Sequence, residues 1–169
     1  MGFQTTVIAD IRSGMIGEIA FDGPTRAISG ILDSGAGVAN NVIGRVFTWA
    51  DKAAGTFKAG GAAADFAGIL VIPKTHALRG TTAGGPLADS LTLPDGVAVE
   101  LLQMGEVFVS LATTGGVIGD VLKYNTTTGI VDFGAPAAGE AAIPNAVVSR
   151  NNASPTAANS FLAVAKLTN

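Results

Sequence analysis

Asp120-Val121-Leu122-Lys123-Tyr124, then Asn125-Thr126-Thr127-Thr128-Gly129, then Ile130-Val131-Asp132-Phe133 is the clearest hairpin signal in the chain. Apolar residues alternate with polar ones on both sides of a connection rich in turn formers, the period of half-buried strands. Working back toward the N-terminus, residues 41–50, NVIGRVFTWA, read as a strand. Ile43, Arg45, Phe47 and Trp49 fall on one face and Val42, Gly44, Val46 and Thr48 on the other, so both faces carry bulk and both should be covered. Phe47 and Ile43 share the face of Trp49, which favours a core position for the only tryptophan.

The remaining segments follow the same pattern. Residues 51–55 supply a turn after which Thr56-Phe57-Lys58 returns as a partner strand. Gly60 and Gly61 make residues 59–64 a loop, since each would cost about 1 kcal/mol inside a helix. Residues 66–72 form a second strong strand, 75–85 a long loop holding His76, and 91–93 a short strand ending in the Pro94-Asp95-Gly96 turn. Residues 97–103 and 106–111 read as two strands interrupted at Gly105, with Val107, Val109 and Leu111 facing inward. Residues 146–149 pair with a last strand near 161–167 across a polar loop at 150–159. The expected fold class is all-β: a small β-barrel or sandwich of about nine short strands at residues 38–169, with an extended N-terminal arm at 1–37 punctuated by the Asp22-Gly23-Pro24 turn.

Composition narrows function by exclusion. The 169 residues include no cysteine, which removes disulfides, thiolate chemistry and Cys-based metal sites. Charged residues make up only 14% and glycines number 23, so much of the surface is either small and neutral or covered by partners. A net charge of -3 with scattered basic residues argues against nucleic-acid binding, and no apolar run is long enough to span a bilayer as a helix. The first residues lack the basic segment of a signal peptide, so the product is expected to remain where it is made until something recruits it.

Catalytic patterns are missing too. His76 is the one histidine and its neighbours match no nucleophile or metal motif. Glu100 and Glu106 could approach one another on strands, but one tryptophan and one tyrosine do not furnish a sugar cleft. The glycine pairs at 84–85 and 115–116 fit no phosphate loop, and the sequons at Asn125 and Asn152 read as chance matches. No catalytic residue, metal ligand or cofactor is expected.

Several motifs in order resemble the structural cement, or capsid decoration, proteins of tailed phages. They are Gly2-Phe3-Gln4-Thr5-Thr6; Gly17-Glu18-Ile19 with Asp22-Gly23-Pro24-Thr25-Arg26; and Val42-Ile43-Gly44-Arg45-Val46-Phe47-Thr48-Trp49-Ala50. Phe66-Ala67-Gly68, Leu93-Pro94-Asp95-Gly96 and Met104-Gly105-Glu106-Val107-Phe108-Val109 follow, and together they extend over about two thirds of the chain. The resemblance implies a protein on the outer surface of the virion capsid that binds the major capsid protein where subunits meet, as a homo-oligomer with a trimer favoured. Residues 2–26 are then expected to contact the capsid or a neighbouring protomer. Phe3, Ile11, Met15, Ile16 and Phe21 are the apolar candidates, and Arg12, Arg26 and Arg45 the charged ones, with ordinary intramolecular pairing the alternative for these arginines. A tail-tube or head-fibre base subunit is the alternative with the same β-rich, low-charge character.

Overall fold

The computed structural model describes residues 14–21, 23–72, 92–113, 116–151 and 162–168. Nine strands are described: β1 (Arg26–Leu32), β2 (Val46–Asp51), β3 (Thr56–Ala59), β4 (Phe66–Leu70), β5 (Ala98–Ser110), β6 (Val121–Asn125), β7 (Val131–Phe133), β8 (Glu140–Asn151) and β9 (Leu162–Leu167). Two short 3-10 turns, Gly35–Asn40 and Ala63–Asp65, are the described helical elements. The expected loop at 75–85 with His76, the Asn152 sequon with the loop that follows it, and Phe3, Ile11, Arg12 and Asp22 lie outside the described residues.

The strand order is β1-β3-β2-β4-β5-β9-β8-β6-β7, and a further pairing of β1 with β5 closes the first five strands into a barrel. All the pairings are antiparallel except β1 with β3, which is parallel. Beyond the barrel, β9, β8, β6 and β7 continue from the second half of β5 as a second sheet. That sheet curls until Leu111, just past β5, meets Val131 of β7 in a parallel bridge.

β5 was expected as two strands broken at Gly105, and it is one. Its first half pairs with β1 on one edge, Ile28 opposite Leu101, and with β4 on the other, Leu70 opposite Leu101. Its second half pairs with β9 from Gly105 opposite Leu167 to Ser110 opposite Leu162. Gly105 has φ +125°, a backbone state that side chains oppose, and it lets the strand pass from barrel to sheet without losing its ladder. The Gly105 signal was real, but it marks a bend within a strand.

Alternation along the shared strands feeds two cores. Phe47, Leu70 and Leu101 fill the barrel with Leu32, Ile43, Phe57 and Leu93. Their neighbours Val46, Ile69 and Leu102 face the second sheet and pack with Val107, Val109, Leu122, Tyr124 and Ile143. Each fully buried Leu or Phe contributes about 1.5–3 kcal/mol. The expectation that residues 41–50 are covered on both faces therefore holds, with the difference that the strand begins at Val46. Residues 41–45 turn instead, with Val42 bridged to Thr92. Trp49 is half-buried at the barrel rim, its ring 4.6 Å from that of Phe57.

Polar ties lock the loops. Gly61 N–H donates to Thr126 O at 2.7 Å, Gly60 N–H to Val46 O at 3.0 Å and Val46 N–H to Gly129 O at 2.9 Å. The buried Tyr124 hydroxyl donates to Gly61 O at 3.1 Å, and burial, together with the Asp65 charge, keeps its pKa above the usual phenol value. Asn125 Oδ1 accepts from Thr127 and Thr128 N–H and so shapes the hairpin loop. At the far side of the barrel, Asp95 of the Pro-Asp-Gly turn accepts from Ser34 N–H (3.0 Å), Gly35 N–H (2.8 Å) and Asn41 Nδ2 (2.7 Å). Burial opposes ionisation of Asp95, but the hydrogen bonds from Ser34, Asn41 and Gly35 outweigh it and hold its pKa below the ordinary 3.8.

Gly129 has φ +71°, and an added Cβ would strike the carbonyl oxygen of Val46, which cannot move without breaking the junction. Gly129→Ala should lower stability by about 2–4 kcal/mol, or roughly 10 °C in Tm by calorimetry. Gly105→Ala should cost less, because its Cβ meets a displaceable Thr25 methyl at 3.0 Å. For Asp95 the folded pKa is depressed, so its contribution is complete above pH 3.8 and is lost as pH falls through the lower folded value. Denaturant titrations should show Asp95→Asn losing stability by a constant amount from pH 7 down to about pH 3.8, and losing progressively less, relative to wild type, at lower pH.

Candidate docking face

With both faces of the shared strands covered, the outward side of the second sheet carries a row of side chains beside the buried Phe108–Val164 pair. Glu106 of β5, Lys166 of β9, Val147 of β8 and Val121 of β6 stand opposite one another in successive strands. Cross-strand partners point to the same side of a sheet, and the residues next to them, Val107, Ala165, Val148 and Leu122, point inward into the core. The row thus crosses the exterior of the sheet.

Each end of the row is apolar. At the β6 end, Val117 and Ile118 are 64% and 69% exposed and Val121 is 51% exposed. The turn that displays them is fixed: Asp120 Oδ2 accepts from Val117 N–H at 2.8 Å, Gly119 N–H donates to Val148 O at 2.8 Å, and Val148 N–H donates to Asp120 O at 2.9 Å. At the β5 end, Phe21 lies under the Arg150 guanidinium, 4.6 Å from it, while Ile19, opposite the inward-facing Val107, stands on the other side of the sheet. A recess of about 300 Å3 opens there, lined among others by Phe21, Pro24, Met104, Glu106, Lys166 and Leu167. The centre is polar: Lys166 Nζ is 3.8 Å from Glu106 Oε1, and Ser149 Oγ donates to Glu106 Oε2 at 3.2 Å. A partly exposed pair of this kind is worth about 0–1 kcal/mol.

The residues singled out in the sequence are distributed unevenly. Met15 is 59% exposed and Phe21 is exposed, whereas Ile16 is half-buried with its methyl against Gly44. Arg26 begins β1 opposite Met104. Arg45 points into the molecule: its Nη1 donates to Asn40 Oδ1 at 2.9 Å and to Thr128 O at 3.2 Å, and burial lowers its pKa. Val117, Ile118, Val121, Lys166 and Arg150 were not picked out. The available signal was Gly116-Val117-Ile118-Gly119, two bulky apolar residues bracketed by glycines in a connection with no strand to bury them.

The arrangement offers contact and no chemistry. Among the described residues, no group of three His, Asp or Glu could hold a metal ion. Glu106 is engaged by Lys166 and Ser149, and Tyr124 is in the core, so neither lines a cleft with Glu100.

Residues 3–168 match the family described as "Structural cement protein (E217 gp24/Pam3 gp6)". The chain belongs to the phage structural cement family. A chain of the solved structure "The capsid of Myoviridae Phage XM1" shares its fold, with a TM-score of 0.63 and 16% identity over 99% of this chain and 98% of that one. At that identity the likeness speaks for the fold. No curated protein sequence matches. As a cement-family member the chain is a structural, capsid-associated component of a phage and not an enzyme.

If the apolar ends of the face serve contact, their side chains should be dispensable for folding of the cement protein. Val117→Ser with Ile118→Ser should shift stability by no more than about 0.5 kcal/mol, whereas Asp120→Ala, which releases the turn, should speed amide exchange at Val117 in hydrogen-exchange measurements.

Proposed function

We propose that this protein decorates the outer surface of an assembled phage head and cements contacts between major capsid subunits, as an oligomer for which a trimer is favoured. The observation that carries the reading is the rigid, exposed aliphatic turn at Val117, Ile118 and Val121. An apolar knob held in place by backbone hydrogen bonds gains free energy when a partner covers it and loses little conformational entropy in doing so. The arm candidates Phe3, Ile11, Arg12, Met15, Ile16, Phe21 and Arg26 contribute contacts to the capsid or to a neighbouring copy in the same assembly, while Arg45 acts from within by holding the 126–129 turn. Affinity at each site can be modest, because one oligomer engages several subunits of a repeating shell at once.

Electron cryomicroscopy of particles carrying the protein tests this directly. Many symmetric copies on the outside of the shell are expected, and density confined to the tail or to one vertex would move the protein to a tail or fibre-base role. Val117→Ser with Ile118→Ser should reduce occupancy of undecorated shells at least ten-fold at limiting protein, equivalent to about 1.4 kcal/mol per engaged molecule. Unchanged occupancy would remove this turn from the contact.

A further inference from the structure

Residues 17–20 pair with β5 on their inner side only. Ala20 N–H donates to Glu106 O at 2.8 Å and Phe108 N–H donates to Glu18 O at 2.9 Å, which places Ile19 opposite Val107 as a non-hydrogen-bonded antiparallel pair. In such a pair the N–H and C=O of Ile19 itself point away from β5. Among the described residues neither meets a partner. The side chains on this edge are apolar and open, with Ile19 and Phe21 each 44% exposed. The single charge, Glu18, is folded back onto Met15 N–H at 2.9 Å. Sheets normally blunt such edges with lysine, proline or a bulge, and an edge left this way is a template for another strand.

Main-chain pairing calls for an extended peptide, and the chain carries one of suitable character. Residues 3–11, Phe3-Gln4-Thr5-Thr6-Val7-Ile8-Ala9-Asp10-Ile11, contain no glycine or proline and are dominated by β-branched residues. Residues 3–13 lead up to Gly14, whose backbone lies against the Phe108 ring. Fully extended they reach about 36–40 Å, enough to cross from one molecule to the next. Every copy therefore brings one strand-forming segment and one open edge, in equal number. A strand from the capsid would leave the segment unused and would have to be supplied separately.

We propose that residues 3–11 of one copy add as a β-strand to the open edge at residues 18–21 of a neighbouring copy, linking cement molecules by strand exchange. Because the donor and acceptor surfaces differ, the contact is heterologous and closes into a ring when the rotation between copies permits. The proposal deepens the decoration reading by naming a second copy as the partner at this edge.

The absence of cysteine gives a clean background for the test. Single-cysteine donors (Thr5→Cys, Val7→Cys, Ala9→Cys and Ile11→Cys, to cover the register) are mixed with a differently tagged Ile19→Cys acceptor and oxidised, both as purified protein and on decorated particles. A disulfide between the two tagged chains in either setting, for at least one donor, is expected. Its absence for all four donors in both settings overturns the proposal, and a chain carrying Val7→Cys and Ile19→Cys that closes only on itself would assign the edge to its own N-terminal segment. A Phe21→Cys acceptor should cross-link as well, and adding Ile19→Pro, which deletes the outward N–H without touching the β5 ladder, should cut the yield at least five-fold. An unchanged yield would show that the contact is not main-chain pairing and would overturn the proposal. Shell occupancy measured on the same samples separates the two readings: occupancy without exchange sinks this inference and leaves the docking intact.

Discussion

The architecture depends on one strand, β5, being paired along both edges for nearly its whole length. Residues 17–20 and β1 follow one edge in succession, and β4 and then β9 follow the other. An unpaired buried peptide group costs about 1–3 kcal/mol, so a thirteen-residue strand threading between two cores has no alternative conformation that keeps its backbone satisfied. Gly105 supplies the single degree of freedom that this strand needs, a change of direction without a break. Once β5 is fixed, its alternation assigns Leu101 to the barrel and Leu102 to the second sheet, and β2 and β4 must follow in phase.

This double use of strands explains where the docking face can lie. The sides of β2, β4 and β5 that face away from the barrel interior are buried by the second sheet, so the outside of β5-β9-β8-β6 is left to present a row of side chains. Its two apolar ends are built differently. The Val117–Ile118 turn is held by Asp120 and by two backbone bonds to Asp120 and Gly119 from and to Val148, while the Phe21 end is held by β5 and by Arg150 over the Phe21 ring. The Val117–Ile118 turn depends on no long flexible side chain being immobilised, which limits the entropy lost when a partner covers it.

Much of this was legible in the sequence because period-two alternation survives wherever a strand is covered on one or both faces. The hairpin of β6 and β7, the return of β3 after the turn at 52–55 and the two-sided burial of β2 all follow from residue order alone. The break read at Gly105 fails for a specific reason: a glycine marks a backbone state outside the usual region, and that state serves a bend within a strand as well as a turn between two. The resemblance to cement proteins was carried by motifs whose structural work is now visible. Asp95 of Leu93-Pro94-Asp95-Gly96 caps two backbone N–H groups and Asn41, and Arg45 braces the 126–129 turn. Arg45 was nominated for charge-assisted contacts to a partner with intramolecular pairing as the alternative, and it makes intramolecular hydrogen bonds. Its actual acceptors lie 5 and 83 residues away in sequence, and no local pattern encodes the second.

A weakly charged face suits a protein that must stay attached rather than turn over. The central Glu106–Lys166 pair is only partly exposed and its 3.8 Å contact is worth little by itself; in the proposed docking its service would be orientation, since wrong registers on a partner would bury one charge without the other, and that costs more than the pair contributes. In the proposed docking the apolar ends would carry the affinity, and because apolar burial is insensitive to the counterions that screen surface charge, such an attachment would not weaken with ionic strength. Repetition then multiplies a modest contact. In the proposed assembly, copies held to several subunits at once would come off only when all contacts open together, so a small face would suffice where a single isolated site would not.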